Sequence, residues 1–493
     1  MFRHSIRAAK PYGARRALLT AVGTAVGTAL VLSAAALGML AGCSDGADDA
    51  LAGEEPAVAA QSERTEATDE IAETDGAATT NQLGLEEQAR RSPALVGREG
   101  GVDRPGRWRS IPGGTSELTA EQRDEVRRLE SIGYLSGSQT ASGIGGVTIH
   151  DRTRAGRGYN FYTSGHFPGA ILMDMDGTVL HQWRCEFLDA FPHREDLVSQ
   201  ERTNHWRRAH IYPDGGILAI FEGSGIVRLD KDSNVIWALD NGAHHDIEVV
   251  DDGRIFVLTR EAHVVPRVNE RTPVLEDFLT ILSDDGRELD RISILQAFWN
   301  SDYARALIAL NMQRHGDVTH TNTLEILDGS LADRIPAFRR GSLLISFRRL
   351  DAIAVLDVDS REISWLMAGP WIGQHQPTVL PTGNILVFDN GGQTDISRVV
   401  EFNPVTQEEV WRYGGDRKDG FYSKSCGSNA LLPGGTVLIT ESDAGRAFEV
   451  TRDGDIVWEY RNPARAGNRG EFIATLFEMV RLPEDFPVGW AAR

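Results

Sequence analysis

The sequence is poor in cysteine and carries a large excess of acidic charge. Its 493 residues include three cysteines, which is too few for a disulfide scaffold. The formal net charge of −20 argues against nucleic acid as a partner and favours a solvated protein of the cell envelope or exterior. The length exceeds one ordinary domain, although a single large all-β domain could take most of it.

Charged side chains are absent from residues 17–44, which follow a basic stretch and end in the sequence LAGC at 40–43. The basic stretch contains Arg3, Arg7, Lys10, Arg15 and Arg16. This arrangement resembles the lipobox signal of bacterial lipoproteins, which implies a signal segment at 1–42 and a lipid anchor on Cys43. The alternative is an uncleaved membrane anchor, because the apolar run is long enough to span a bilayer. Both interpretations place the rest of the chain outside the cytoplasm, in the periplasm or at the cell surface.

Aromatic residues are absent from residues 44–107, where Ala, Glu, Asp, Thr and Gly dominate. Such a chain cannot bury enough apolar surface to offset the entropy lost on ordering. We therefore predict a disordered tether over residues 43–110. A short helical segment is predicted next, at 117–137, because Thr119 and Gln122 fit a capping box, Val126 and Leu129 share a face, and Gly133 suits a helix C-terminus.

Beyond Gly145 the sequence lacks helical patterns and instead repeats one motif. An apolar run, a turn rich in Asp or Asn and a second apolar run occur six times, from AILMDMDGTVLHQW to AFEVTRDGDIVWEY. A second hairpin motif alternates with the first. Two hairpins make four strands, so the repeat predicts an all-β fold, a six-bladed β-propeller over residues 145–485. A strand near Arg481 is predicted to complete the first blade and close the ring.

The first copy of the repeat also resembles the nucleophile loop of the haloacid dehalogenases, in which Asp174 would attack phosphorus. The equivalent positions of the other copies carry residues of varied chemistry: Asp230, Ser283, Asp357, Asn403 and Thr451. A dehalogenase-type domain would also need strands that alternate with helices. We therefore interpret Asp174 as a residue of a hairpin turn.

Three histidines and one arginine are the strongest candidates for a catalytic site. His245 and His375 each lie eight residues before the turn glycine of a hairpin, and His320 begins the corresponding strand of the blade between them. Arg348 lies seven residues after another turn glycine. In an antiparallel hairpin these positions fall side by side. The four side chains are therefore predicted to converge at one end of the central channel.

Weaker candidates for binding substrate are Asn322, Asn390 and Arg260. A cluster of His, Arg and Asn without inward-facing carboxylates suits an anion, since it offers mainly hydrogen-bond donors. Three histidines could instead hold zinc, but the charge of Arg348 would repel a dication. We therefore expect neither a metal nor another cofactor. We also expect Asp246 to point away from the site, because neighbouring residues of a strand face opposite ways.

At these residues the chain resembles the bacterial arylsulfotransferases, the aryl-sulfate sulfotransferases of the cell envelope. The resemblance is carried by HHDIE, HTNTLEI, SFRRLDAIAVLD and GQHQPTVLPTGNILVFDNG. It implies transfer of a sulfuryl group from a phenolic sulfate ester to a phenolic acceptor, without a nucleotide sulfate donor. It further implies that His375 is transiently sulfated and that His245, His320 and Arg348 surround the sulfuryl group.

The chain also departs from the family pattern. The best-known members carry an N-terminal β-sandwich, and here a tether and a short helix take its place. Some members have a disulfide near the active site, so Cys185 and Cys426 could pair, because they belong to the first and last blades. Two alternatives to the enzyme stay open: a propeller that binds sulfated or other anionic ligands without turnover, and an envelope scaffold.

Overall fold

The computed structural model describes residues 118–132, 134–198, 201–392, 394–416 and 420–491. The predicted signal segment, the lipidation site Cys43 and the predicted tether lie outside these residues. The helices are α1 (Ala120–Glu130), α2 (Phe187–Ala190), α3 (Ile294–Asn300) and α4 (Ala306–Ala309). Short 3-10 turns lie at Glu195–Leu197, Glu201–Thr203 and Arg348–Leu350. In this described part of the chain, no helix combines the length and the apolar character that a membrane crossing requires.

The strands occur in the following order along the chain. They are β1 (Gly146–His150), β2 (Tyr159–Ser164), β3 (Gly169–Met173), β4 (Val179–Arg184), β5 (Arg208–Ile211), β6 (Ile217–Phe221), β7 (Gly225–Leu229), β8 (Val235–Leu239), β9 (Ala243–Val249), β10 (Ile255–His263), β11 (Val274–Leu282), β12 (Glu288–Ser293), β13 (Gly316–Asp317) and β14 (Thr321–Ile326). The second half has β15 (Leu343–Phe347), β16 (Ala352–Asp357), β17 (Glu362–Ala368), β18 (His375–Val379), β19 (Ile385–Asp389), β20 (Arg398–Phe402), β21 (Glu409–Gly414), β22 (Ser428–Leu431), β23 (Val437–Glu441), β24 (Arg446–Val450), β25 (Ile456–Arg461), β26 (Arg465–Ala466), β27 (Phe472–Ile473) and β28 (Leu476–Leu482).

These strands form six antiparallel sheets, which confirms the predicted six-bladed propeller. Blades 2 to 5 are β5–β8, β9–β12, β14–β17 and β18–β21, and blade 6 is β22–β25 with β1 added at its outer edge. Blade 1 has the order β28-β2-β3-β4. Its innermost strand therefore comes from far along the chain, as the sequence predicted. Short β13 pairs in parallel with β11, and β26 and β27 form a separate ribbon.

An apolar cluster fills each of the six interfaces between neighbouring blades. The interface of blades 1 and 2, for example, buries Trp183 against Trp206 and Phe221, and that of blades 6 and 1 buries Trp458 against Met173 and Tyr162. Fully burying one large apolar side chain stabilises the fold by about 1.5–3 kcal/mol. The ring is thus held by six equivalent interfaces and has no open edge among its inner strands.

The tryptophans of the repeat join neighbouring blades. Trp183, on β4, donates its indole N–H to the carbonyl of Gly215 in the next blade at 2.9 Å. Trp458, on β25, does the same to Met175 at 2.9 Å and so links blade 6 to blade 1. Met175 belongs to the first hairpin turn, in which Asp174 accepts hydrogen bonds from the backbone of Asp176 and Thr178. Asp174 is therefore a turn residue, as predicted.

Helix α1 docks on blade 3. Thr119 and Gln122 form the predicted capping box, with the Thr119 side chain accepting from the Gln122 backbone and the Gln122 side chain accepting in return. Val126 and Leu129 are buried against Ala262 and Leu275. The helix ends at Glu130. The predicted terminator, Gly133, lies outside the described residues.

Candidate active site

The three candidate histidines sit where the inner strands of blades 3, 4 and 5 are irregular. A β-bulge interrupts the pairing of β9 with β10, of β14 with β15 and of β18 with β19, each near the start of the inner strand. His245 and His320 have positive φ angles of 57° and 50°, and Gln376, next to His375, has one of 47°. A bulge bends a strand and re-aims its side chains. The bulges therefore turn the three imidazoles toward one space.

The imidazole of His375 has its tautomer fixed by Asn390. The amide nitrogen of Asn390 donates to the carbonyls of Ser423 and Cys426, at 2.7 and 2.9 Å. Its amide oxygen therefore faces His375, whose Nδ1 lies 2.7 Å away. Because the oxygen can only accept, Nδ1 must carry the proton. The lone pair is left on Nε2, which is buried and has no hydrogen-bond partner among the described residues.

The surroundings of His375 favour the neutral imidazole. Burial lowers its pKa well below the ordinary value, and the nearby Arg348 guanidinium lowers the pKa further. The charge of Arg207 acts in the same direction. A neutral imidazole with a free lone pair is the form that can attack an electrophile. His375 thus has the protonation state that a nucleophilic role would require.

His320 forms a buried pair with Asp317. Its Nδ1 lies 2.5 Å from the Asp317 carboxylate, and its backbone N–H donates to the same carboxyl group at 3.0 Å. Burial would raise the pKa of Asp317, but the charge and hydrogen bond of His320 hold that pKa below its ordinary value. An ionised carboxylate on Nδ1 leaves Nε2 of His320 free to accept a proton.

His245 belongs to a second pair of buried side chains. Its Nδ1 is 2.7 Å from Nδ1 of His244 and 3.4 Å from the carboxylate of Glu222. Burial lowers the pKa of His245 well below the ordinary value, and His244 and His320 contribute as well. In a neutral His245 that accepts at Nδ1 from His244, the proton resides on Nε2.

A phenol already lies between these two histidines. The hydroxyl of Tyr134, from the segment after α1, is 2.6 Å from Nε2 of His245 and 3.1 Å from Nε2 of His320. In the tautomer of His245 that carries its proton on Nε2, His245 donates to the phenolic oxygen and the phenol donates to His320. That tautomer offers one donor and one acceptor to a phenolic oxygen.

Two arginines complete the site. Arg348 donates to the backbone carbonyl of Lys424 at 3.3 Å, and its Nε has no partner. Arg207 is buried, its Nε also has no partner among the described residues, and its guanidinium lies 4.9 Å from the centre of the Tyr134 ring. Both charges act on Tyr134 and on His375. The fixed positive charge beside the nucleophile suits an anionic group.

Among the four strongest candidates, the rings of His245 and His320 have centroids 4.9 Å apart, and the charges of Arg348 and His320 act on the pKa of His375. The three weaker ones lie around them. Asn390 orients His375, Asn322 donates to the Gln374 carbonyl at 2.8 Å, and Arg260 lies 3.4 Å from Glu222. None of these three contacts the Tyr134 hydroxyl in the described part of the chain. They contact other residues of the site and do not contact the phenolic oxygen.

Sequence reasoning missed several members of the site. Counting eight residues back from the turn glycine Gly215 reaches Arg207, and seven forward reaches Glu222. The same rule that found His245 would have found both. Asp317 and His244 follow no such spacing, and Tyr134 lies outside the repeat.

One further expectation was wrong. The site does contain carboxylates: Asp317 hydrogen-bonds Nδ1 of His320, and Glu222 accepts from the backbone N–H of His245 and has an oxygen 3.4 Å from its Nδ1. Asp246, expected to point away from the site, is buried, pairs with Arg208 at 2.7 Å and accepts from the backbone N–H of Leu324 at 2.9 Å.

Cys185 and Cys426 are both free, buried thiols, so the disulfide considered above does not form. Cys185 follows the outermost strand of blade 1, whereas Cys426 precedes the innermost strand of blade 6. In these neighbouring blades Cys185 therefore lies by the outer edge of the propeller, whereas Cys426 lies by the inner strands. Burial raises the pKa of Cys426 to about 11, which also disfavours a thiolate nucleophile there.

One group of side chains has the spacing of a metal site. Ligand atoms of Glu222, His244 and His245 lie within 4.8 Å of one another. Two of these atoms, the Nδ1 atoms of the histidines, already share a hydrogen bond, and Arg260 lies 3.4 Å from Glu222. A guanidinium repels a cation at this range. These residues fit a hydrogen-bond network better than a metal centre.

Fold and site together define a class of protein: a propeller with a buried imidazole, which has a free Nε2, under the charge of two arginines. The family model of the arylsulfotransferases (ASST) matches residues 208–463, which is more than half of the chain. The protein therefore belongs to the arylsulfotransferase family. The matched residues include His245, His320, Arg348 and His375.

No curated protein sequence matches the chain. Several solved structures are similar to the chain at low identity. A protein of unknown function from Bacteroides caccae is 11% identical, with 65% of this chain and 98% of that chain covered and a TM-score of 0.42. A catalytically inactive virginiamycin B lyase from Staphylococcus aureus with quinupristin is 13% identical, with 66% of this chain and 87% of that chain covered and a TM-score of 0.36. Hydrazine synthase from Kuenenia stuttgartiensis is 11% identical, with 65% of this chain and 81% of that chain covered and a TM-score of 0.37.

Proposed function

We propose that the protein transfers a sulfuryl group from a phenolic sulfate ester to a phenolic acceptor, through a sulfated His375 and without a nucleotide donor. One observation carries this proposal: the phenolic hydroxyl of Tyr134 lies within hydrogen-bond distance of Nε2 of His245 and of His320. His320 also acts on His375, whose Nε2 has no partner in the described part of the chain. A phenolic substrate would take the position that the Tyr134 hydroxyl fills in the structure.

In the first half of the reaction, Nε2 of His375 would attack sulfur as the ester S–O bond breaks. The cycle would begin with His320 protonated on both ring nitrogens, its Nδ1–H on the Asp317 carboxylate. The leaving phenolate would receive a hydrogen bond from His245 and the Nε2 proton of His320, which is left neutral. In the second half, His320 would take the proton of the incoming phenol as its oxygen attacks the sulfated His375. One histidine then acts first as acid and later as base, and the two displacements give ping-pong kinetics.

The arginines would act on the sulfuryl group itself. Sulfuryl transfer needs alignment and charge stabilisation, as phosphoryl transfer does. Arg207 and Arg348 have donor atoms without partners in the described part of the chain, so they can bind the sulfuryl oxygens without first giving up a protein contact. Donors fixed in advance around the developing charge are usually the largest contribution to such catalysis. If Cys43 is lipidated as predicted, the reaction takes place at the cell envelope.

The proposal is tested with His375→Asn and a matched control, Asp174→Asn. The wild-type protein is expected to release p-nitrophenolate from p-nitrophenyl sulfate, faster when a phenol is added, and to carry a sulfated His375 peptide. His375→Asn should lose both, because the amide cannot attack sulfur. Asp174→Asn should keep full activity, because an amide oxygen can still accept the two backbone hydrogen bonds of the turn.

Two outcomes would overturn the proposal. If the wild-type protein binds p-nitrophenyl sulfate in calorimetry but never releases p-nitrophenolate with any phenol, the propeller is a binding module. If it neither binds nor cleaves the ester, and replacing His245, His320 and His375 with Ala alters no ligand binding, it is a scaffold.

A further inference from the structure

Tyr134 belongs to a segment that lies on the propeller and is not a strand of any blade. We call residues 134–141 the arm. The backbone N–H of Thr475 donates to the carbonyl of Ser136 at 2.8 Å. The backbone and hydroxyl of Ser136 in turn donate to Glu201, at 2.7 and 2.5 Å. These hydrogen bonds fix the course of the backbone directly after the tyrosine.

The arm ends on the small ribbon of β26 and β27. The backbone N–H of Ile473 donates to the carbonyl of Gln139 at 2.9 Å, and Thr140 forms a β-bridge with Phe472. Leu135, the other large apolar side chain of the arm, is 58% exposed. The main apolar contact between the arm and the propeller is therefore the tyrosine.

Two glycines, one on each side of the contact, let the arm lie close to the propeller. A Cβ on Gly137 of the arm would lie 2.5 Å from the carbonyl oxygen of Ile473. A Cβ on Gly165 of the propeller would lie 2.2 Å from the carbonyl oxygen of Ser136. Glycine is the residue that permits such an approach of one backbone to another. The propeller surface thus fits the arm closely, and a methyl group on either glycine would exclude it.

The side chain of Tyr134 fits the site as closely as the backbone fits the surface. Its ring lies 6.4 Å from that of Phe477 and 5.4 Å from that of His245, in edge-on contacts, and the Arg207 guanidinium covers its face at 4.9 Å. Such contacts are favourable for any phenol. Its hydroxyl lies 2.6 Å from Nε2 of His245 and 3.1 Å from Nε2 of His320. One side chain of the protein thus uses both nitrogen atoms that the phenol of a substrate would need.

The arm can leave this position without unfolding a blade. Helix α1, before the arm, has its own attachment, with Val126 and Leu129 buried on blade 3. After the arm, Gly143 and Gly146 have no other part of the described chain within 4 Å of a Cβ. Glycine adopts many backbone conformations, so this stretch can bend while β1 stays paired on blade 6. The arm can therefore move while the six blades stay intact.

We propose that the arm is an autoinhibitory segment, which blocks the site until a phenolic ligand displaces Tyr134. This rests on the proposed function, because that function requires a phenol to be held by the same two imidazoles. Two phenolic oxygens cannot occupy one position, so docking of the arm and binding of the donor ester exclude each other. Because the arm belongs to the same chain, its effective concentration is fixed and dilution of the protein does not remove it. The apparent affinity for the ester therefore falls in proportion to the fraction of molecules whose arm is displaced.

The first experiment measures KM and kcat for p-nitrophenyl sulfate in variants that release the arm. Tyr134→Ala removes the competing phenol, and Gly165→Ala excludes the arm without changing a residue that contacts the phenolic oxygen. Both should lower KM by at least about 10-fold, because two hydrogen bonds and the ring contacts no longer compete with the ester. The value of kcat should stay the same, because saturating ester displaces the arm in the wild type as well.

Two substitutions in the same segment are matched controls. Leu135→Ala removes an exposed side chain of the arm, and Gly143→Ala adds a Cβ that has nothing within 4 Å. Neither should change KM or kcat. If Tyr134 instead formed part of the wall that binds the substrate, Tyr134→Ala would raise KM or lower kcat. Either of those results, or an unchanged KM in both Tyr134→Ala and Gly165→Ala, would overturn the proposal.

A second experiment measures displacement of the arm without turnover. In the His375→Asn protein, p-nitrophenyl sulfate should bind at least about 10-fold more tightly once Tyr134→Ala is added, as measured by calorimetry. In His375→Asn with its arm intact, the ester should speed chymotrypsin cleavage after Tyr134, because proteolysis follows the population of the open form. Equal affinities in the two proteins, or slower cleavage in the presence of the ester, would overturn the inference.

Failure of the inference and failure of the proposed function give different results. Release of p-nitrophenolate with a sulfated His375, but with a KM that neither Tyr134→Ala nor Gly165→Ala lowers, would overturn the inference alone. Tighter binding of the ester to Tyr134→Ala, with no release of p-nitrophenolate by any of the proteins, would overturn the proposed function and leave a binding site that the arm blocks.

Discussion

Asn390 decides which nitrogen of His375 can react. Its two amide hydrogens are both used by backbone carbonyls, so only its oxygen is available to the imidazole. The chemistry of the site therefore depends on a residue that does not touch the phenol. Asn390 is a positioning residue, and its removal should affect the rate more than the binding of substrate.

Asn390→Ala is expected to lower kcat for p-nitrophenyl sulfate by on the order of 100-fold, because His375 could then place its proton on Nε2. KM for the ester should change little. The loss of two donors to buried carbonyls should also cost about 1–3 kcal/mol of stability. Steady-state kinetics and thermal unfolding measure the three effects. Asn384→Ala, which removes an amide that donates to Glu401 in the same hairpin pair, should leave kcat unchanged. Equal losses of kcat in both variants would contradict the positioning role.

At the scale of elements, the joint between β2 and β28 closes the ring. Gly158, just before β2, has a φ of 134°, and a Cβ there would lie 1.9 Å from the carbonyl oxygen of Leu482. Tyr159 pairs with Leu482. A side chain at this glycine would therefore push strand β2 away from strand β28.

Gly158→Ala is expected to destabilise the protein by about 2–4 kcal/mol, since it combines backbone strain with a clash against a paired strand. The control is Gly454→Ala, where φ is 93° and nothing lies within 4 Å of the added atom. That variant should lose only the strain energy, about 1–2 kcal/mol. Denaturant unfolding of both proteins gives the comparison. If the two variants lose the same stability, the close approach of Leu482 has no energetic effect.

For the whole molecule, acid groups buried on the inner strands should govern stability in mildly alkaline solution. Burial raises the pKa of Glu248, on β9, and of Glu325, on β14, to about 8. In the folded protein these groups keep their protons longer than in the unfolded chain. The stability that this provides is lost as the pH rises from the ordinary carboxyl range to about 8. Burial lowers the pKa of His205 and His210 to about 4. These histidines therefore make the free energy of unfolding rise with pH, but only between about pH 4 and their ordinary pKa.

The free energy of unfolding should therefore fall between pH 6.5 and 8, with each glutamate contributing at most about 1.4 kcal/mol per pH unit. Urea unfolding across this range measures the slope. The double variant Glu248→Gln, Glu325→Gln should flatten it, whereas Glu288→Gln, at an exposed position, should not. A slope that is the same in all three proteins would contradict the assignment to these two side chains.

The sequence predicted the parts of the molecule that repeat. Six copies of a hairpin predicted six blades, and residues counted from turn glycines predicted His245, His375 and Arg348, because a hairpin fixes which positions are neighbours. The bulges in the inner strands and the positive φ angles of His245 and His320 change the local backbone direction, which strand alternation alone does not predict. Tyr134 could not be placed from the sequence, since its contacts with His245 and His320 join residues 111 and 186 positions apart through an arm that is not part of the repeat.

The position of Phe477 in the sequence has a consequence for when activity can arise during protein synthesis. Phe477, which contacts Tyr134 and Arg207, lies on β28, and this strand meets β2 through contacts 321 positions apart along the chain. When the ribosome has synthesised His245, His320 and His375, it has not yet synthesised Phe477. The nascent chain therefore contains all three histidines before it contains the side chain that packs against Tyr134. Under the proposed function, sulfuryl transfer should therefore begin abruptly, when β28 has emerged and the ring closes, and not in proportion to the number of blades already folded.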